Sequence, residues 1–230
     1  MSEFVRAIEN KYDIDDTLFR GQAYNWDLTP RLARIRPREK RTLTDTEANM
    51  FREFQRQAIP FLNIRPESDW DWLSVARHHG MPTRLLDWSS NSLAALWFAV
   101  KDPCIEVNGR RQPAVVWAFE CKADFNVDER LGPFDQTGVR TFRPKHINPR
   151  IIAQAGWFTV HPATKLKELR SLRADAAVRK RLTKFVIAPD DFSNIRFELD
   201  RCGVNAASLI PDLDGVCRQI EFAETLLPDE

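Results

Sequence analysis

The chain has 230 residues, 43% of them hydrophobic and 29% charged, with 34 basic and 33 acidic side chains giving a formal net charge of +1. That length can bury a sizeable core, and the composition is that of an ordinary globular domain. Near-zero net charge excludes a whole-molecule field for nucleic acid or an anionic membrane but leaves room for a local basic patch. The longest apolar run, Leu93 to Val100, is too short to span a bilayer, and the N-terminus carries no apolar signal core. A cytoplasmic protein is therefore expected. The four scattered cysteines, Cys104, Cys121, Cys202 and Cys217, form no CxxC pair and read as reduced thiols.

In chain order, Ser2 to Tyr12 predicts a helix with Phe4, Val5 and Ile8 on one face. Thr17 to Phe19 predicts a strand, with Gly21 at a turn. "LTPRLARIRPREKR" reads as a basic, irregular surface excursion. A capping box at Thr44 and Glu47 predicts the next helix, with Met50, Phe51, Phe54 and Ala58 along one stripe. A further helix starts near Ser68, with Asp71 in the matching cap position, and stops at Gly80. A polar loop follows, and then the apolar helix Ser92 to Val100, capped by Ser89 or Ser90. Ala114 to Glu120 predicts a strand. Asp124 to Pro149 shows little regular pattern. "RIIAQAGWFTVHP" reads as a turn feeding a strand from Trp157 to His161. The charged "ATKLKELRSLRADAAVRKRL" is helix-prone in part, and "TKFVIAP" is a strand. "DDFSNIRFELDRCG" and "PDLDGVCRQIEFA" are helices; the first is capped at Asp190 or Asp191 and stopped by Gly203. Mixed helices and strands without βαβ alternation predict a single α+β domain over residues 1–230, with a mixed or antiparallel sheet flanked by helices.

Chemistry-bearing residues fall in a few places. In "FRGQ", Arg20 stands at a strand end beside a glycine, which suits bidentate binding of phosphate or carboxylate as well as a surface ion pair. The loop "MPTRLLDW" is stiffened by Pro82 and holds Thr83, Arg84, Asp87 and Trp88 just before a helix N-terminus, a setting suited to an anion. The same residues serve the fold equally well if Asp87 caps, Arg84 neutralises it and Trp88 packs. His78 and His79 point apart on a helix, and with only His146 and His161 besides they lack metal-site spacing. No metal is expected. The absence of GxSxG, GxGxxG and GxxxxGK[ST] removes the commonest hydrolase, Rossmann and P-loop readings. Arg150 and Gln154 precede a strand, and Asp212 and Asp214 open a helix, where acids favour the dipole.

Together, "FRG" (Phe19 to Gly21), "WxLxP" (Trp26, Leu28, Pro30), "HHGMPTRLLDWSSNSLAALWFA", "RIIAQAGWF" and "PDLDG" resemble the FRG-domain family over residues 17 to 220. That family occurs widely in bacteria and phages, so the resemblance implies a toxin or phage-defence effector, with an antitoxin or other partner protein. The motif order is similar to a distant ADP-ribosyltransferase layout. Arg20 matches the early-strand arginine, Trp88-Ser89 followed by "AALWFA" the second motif, and Gln154-Ala155-Gly156 the third. Glycine stands where glutamate is expected, so Gln154 or an acid of "PDLDG" would take its place. The resemblance implies NAD as substrate, catalytic roles for Arg20, Ser89 and Gln154, and a nucleotide cradle of Arg20, Gln22, His79, Thr83, Arg84, Asp87 and Trp88. The acceptor would be a protein, a nucleic acid or a small molecule. Two other readings stay open: a non-catalytic nucleotide- or phosphate-binding module built on Arg20 and Arg84, and a nuclease.

Overall fold

In the computed structural model, which describes residues 1–12, 16–38, 40–62, 64–128, 130–145, 149–163 and 168–227, a six-stranded sheet is flanked by helices on both faces. In chain order the helices are α1 (Ser2–Glu9), α2 (Leu43–Ala58), α3 (Asp69–His78), α4 (Ser92–Val100), α5 (Pro149–Ala153), α6 (Ala176–Arg179), α7 (Phe192–Arg201), α8 (Ala206–Leu209) and α9 (Leu213–Glu224). The sheet strands are β1 (Thr17–Gln22), β2 (Leu85–Ser89), β5 (Ala114–Glu120), β6 (Arg140–Phe142), β7 (Gly156–Val160) and β8 (Leu182–Ile187), and β3 (Glu106–Val107) with β4 (Arg110–Arg111) forms a separate hairpin. The order across the sheet is β6-β7-β2-β1-β5-β8, and every strand pairing is antiparallel. The architecture is α+β, as expected from the sequence.

Burial explains the layers. β5 is covered on both faces, and its run AVVWAFE sends Ala114, Val116 and Ala118 to one side and Val115, Trp117 and Phe119 to the other. The first side meets α4, α7 and α8; the second meets Leu28, Leu172 and Val178. α4 is apolar all round, as a central buried helix should be. Gly21 brings α4 down onto β1: a Cβ there would lie 1.8 Å from the Ala95 carbonyl oxygen. This corrects the turn expected at Gly21. The strand runs on through Gln22, and the glycine is needed for a close helix–strand approach.

Other corrections are local. α2 is capped at Thr42 with Asp45, two residues before the expected box, and Glu47 lies in the core. α3 is capped by Ser68 and Asp71 as read, and Gly80 turns the chain at φ +83°. Asn91 caps α4 in place of Ser89 or Ser90. The expected polar loop becomes strand β2 from Leu85 onward. The expected turn in "RIIAQAG" is the short helix α5, while β6 and α8 were not expected. His146 and Thr164 to Lys167 lie outside the described residues.

Candidate functional site

β1 and β2 are the two central strands, yet they share one register pair, Phe19 with Ser89. Beyond it they part. The Arg20 side chain reaches across the opening, its Nη1 donating to the main-chain oxygen of Asp87 at 2.7 Å. A side chain there does what the ladder has ceased to do. The opening is the floor of a cleft of about 550 Å³, closed by Phe98 of α4, Trp26, the end of α3 (Arg77, His78, Gly80) and Arg150 and Gln154 from the α5 region. That volume is within the range of small-molecule sites.

Asp87 is the electrostatic centre. Arg77 donates from Nε to Oδ1 at 3.0 Å and from Nη2 to Oδ2, a bidentate grip, and Arg20 Nη1 lies 3.6 Å from Oδ2. Burial alone would raise the Asp87 carboxyl. The charge and hydrogen bonds of Arg77, then Arg20, more than offset it and hold it below the usual carboxylate range. Arg77 is raised in return, chiefly by the Asp87 charge. Arg20 is lowered, first by burial and then by Arg77 and Arg34, against the opposing pull of Asp87. Its Nε is buried and has no hydrogen-bond partner among the described residues. His78 is pushed down to about 4, mainly by burial and then by His79 and Arg150, so it is neutral near pH 7.

Gln154 is held in place from two sides. Its amide nitrogen donates to the Leu209 oxygen at 2.9 Å, and its main-chain oxygen accepts from Ser89 Oγ at 2.6 Å. Next to it Ala155 sits in the left-handed region at φ +45°, fixed by Ser90 N–H donating to its carbonyl at 3.0 Å. Such strain in a non-glycine residue persists only where the surroundings impose it.

The expected site residues thus divide. Arg20, Asp87, Ser89 and Gln154 come together on the cleft. Gln22 borders it, but its Oε1 accepts from Trp117 Nε1 at 3.1 Å. Trp88 borders it too, but is 4% exposed, donates to Thr159 Oγ1 and packs on Phe119, so it offers no open stacking face. Ser89 Oγ is already spent on Gln154. Arg84 lies elsewhere: it is 3% exposed and forked onto Glu47, with Nε and Nη2 at 2.9 and 2.7 Å from Oε2. The Arg84–Asp87 pair drawn from sequence spacing does not form, because β2 sends the two side chains to different partners. Thr83 is fully buried, and His79 borders a smaller side pocket with Pro149, Pro211 and Asp212. Arg77, Lys101 and Asp102 were missed. A basic residue in the last turn of a helix has an ordinary dipole role and gave no signal for Arg77.

Four cationic side chains (Arg20, Arg77, Lys101, Arg150) and two acidic ones (Asp87, Asp102) line the cleft, with no glutamate among the lining residues. Lys101 pairs with Asp102, and Arg150 with Asp212. Among the described residues no group of three or more His, Cys, Asp or Glu side chains is arranged to hold a metal ion, and no helix is long and apolar enough to cross a membrane. A second cavity, about 470 Å³, lies between α7, α9 and the end of α4 and holds none of the residues expected from sequence.

Residues 15–106 match the family model described as the FRG domain. The chain carries an FRG domain. The match takes in β1, Trp26, the α3 end and the whole β2–α4 block, so the FRG segment supplies most of the cleft, while Arg150 and Gln154 come from beyond it. No curated protein and no solved structure matches the chain.

Proposed function

We propose that the FRG cleft binds a nucleotide through its phosphates, NAD in the first instance, and transfers the ADP-ribosyl group. The observation that carries this reading is the convergence of Arg20, Asp87 and Gln154 on one cleft at the parting of β1 and β2. Arg20 and Arg150 supply cationic hydrogen-bond donors suited to a pyrophosphate. Gln154, tethered through its amide nitrogen, turns its Oε1 to a ribose hydroxyl. In the reaction the bond from C1′ of the ribose to the nicotinamide nitrogen breaks and the electron pair leaves with nicotinamide. The acceptor heteroatom bonds to C1′ and releases its proton to solvent. Asp87 contributes negative potential to the oxocarbenium-like transition state, moderated by Arg77.

A second reading, a non-catalytic nucleotide-binding module, is favoured by one observation: both cleft carboxylates already carry a basic partner. The test is nicotinamide release from NAD, followed by chromatography, beside the thermal shift given by ADP-ribose. Release that disappears in Arg20→Ala with an unchanged circular dichroism spectrum supports transfer. Stabilisation by ADP-ribose without release supports the binding module. Neither response in the wild-type chain overturns both.

A further inference from the structure

The segment from Arg31 to Arg41 holds six cations (Arg31, Arg34, Arg36, Arg38, Lys40, Arg41) and one carboxylate, Glu39. A net charge of +1 for the whole chain thus hides a concentrated excess. All six cations are exposed, and none forms an ion pair with an acidic side chain among the described residues. An ordinary solvated face mixes both signs; this one does not.

The start of the segment, Arg31 and Leu32, is fixed beside the cleft. Arg31 donates to the Gly80 oxygen, and Gly80 lines the cleft. Leu32 is fully buried, and its N–H donates to the Thr83 oxygen at 3.3 Å. Trp26 also lines the cleft; it is 46% exposed and edge-on to Tyr24 at 5.7 Å. With Leu32 turned inward, the segment has no apolar face for a membrane. An acidic protein surface would answer the charges but not the open indole. Cations along a backbone path beside a stacking face are what a single strand requires.

We propose that Arg31 to Arg41 and Trp26 form a docking path for single-stranded nucleic acid that ends at the cleft. Docking stands whatever the cleft does to NAD; use of the strand as ADP-ribosyl acceptor rests on the transferase reading.

The experiment is fluorescence anisotropy of a fluorescein-labelled 20-nucleotide single-stranded RNA titrated with the full chain between 50 and 200 mM NaCl. Binding should weaken with salt, with a log–log slope of about −2 to −4, the value for roughly three to six phosphates on a single strand. Arg36→Glu/Arg38→Glu/Arg41→Glu should bind at least about tenfold more weakly, with an unchanged melting temperature and unchanged nicotinamide release. Trp26→Ala should weaken binding about fivefold or more without altering the slope, since it removes stacking and no charge. No anisotropy change at 50 mM NaCl, or equal binding by the triple variant, overturns the proposal. So does poly-glutamate competing as well as unlabelled RNA, which would mark an acidic-protein surface. RNA binding without NAD cleavage upholds the path and removes the transferase reading; NAD cleavage without RNA binding does the reverse.

Discussion

Arg77 and Asp87, ten residues apart, meet as a two-pronged ion pair across the junction of α3 and β2, and Arg20 rests on the same carboxylate. Asp87→Asn removes the counter-charge of two arginines, and a loss of about 2 kcal/mol is expected at pH 7, the scale of hydrogen bonds to a charged group. The carboxyl is held below its ordinary value in the fold, so its contribution is complete above that value and is lost as pH falls through the lowered one. Urea unfolding of both proteins from pH 7 to pH 3 should show the gap constant down to about pH 5 and closing below about pH 4. A gap independent of pH would refute the ionic account.

Gly21→Ala tests whether the motif glycine serves the helix or the ligand. The added methyl would meet the Ala95 oxygen at 1.8 Å and the Ala99 nitrogen at 2.7 Å, both main-chain atoms that cannot swing away. Destabilisation of about 3 kcal/mol or more is expected, at the upper end of overpacking costs. A chain with wild-type stability and only its ligand binding impaired would contradict this assignment.

Arg84→Ala should leave Glu47 buried without its counter-charge, keeping only the hydrogen bond from the main-chain N–H of residue 84, at a cost of about 3–5 kcal/mol. Arg84→Met/Glu47→Gln should recover much of that loss, since neither change leaves a lone charge in the core. Chemical denaturation of the single and double variants measures the coupling. In the double variant, ADP-ribose affinity should match the wild type, because Arg84 lies outside the cleft.

His161 is 1% exposed, between Thr159 Oγ1 at 3.4 Å from Nε2 and the Arg170 oxygen at 3.1 Å from Nδ1. Trp88 donates to the same hydroxyl, so the network favours a neutral ring with its proton on Nδ1. Burial pushes the ring down to about 4, and the unfolded chain therefore binds more protons between that value and about 6.5. Stability should fall as pH drops through this window, by about 2 kcal/mol from pH 7.5 to pH 5 for this residue. His161→Gln, unfolded with urea at both values, should show a visibly shallower dependence; an unchanged slope would rule the residue out as its source.

Much of the frame could be read from short-range patterns. The Ser68–Asp71 cap, the apolar α4 and the β-branched β5 are local signals, and local physics made them. The failures are long-range. Nothing near Glu47 announces that Arg84 will claim it from 37 residues away, and with Glu47 so engaged the cap is the Thr42–Asp45 box. Glycine in a short strand predicts a turn at Gly21, whereas its reason here is the close approach of the helix at residue 95. β6 has three residues, too few for an alternation to show. At the site, motif order brought Arg20, Ser89 and Gln154 into view together. The same motif misassigned Arg84, since an arginine built for a carboxylate in the core looks identical in sequence to one built for a ligand.

The single pairing between β1 and β2 gives the FRG segment an unusual standing. Residues 15–106 contain the two middle strands and neither of their outer neighbours, because β5 and β7 both come later in the chain. What the family match recognises is therefore the seam of the molecule, two half-sheets stitched by Phe19, Ser89 and one guanidinium. A fragment cut at residue 106 would keep the stitch and lose the cloth on either side. The most recognisable part of the chain thus depends on later residues for both neighbours of its own two strands.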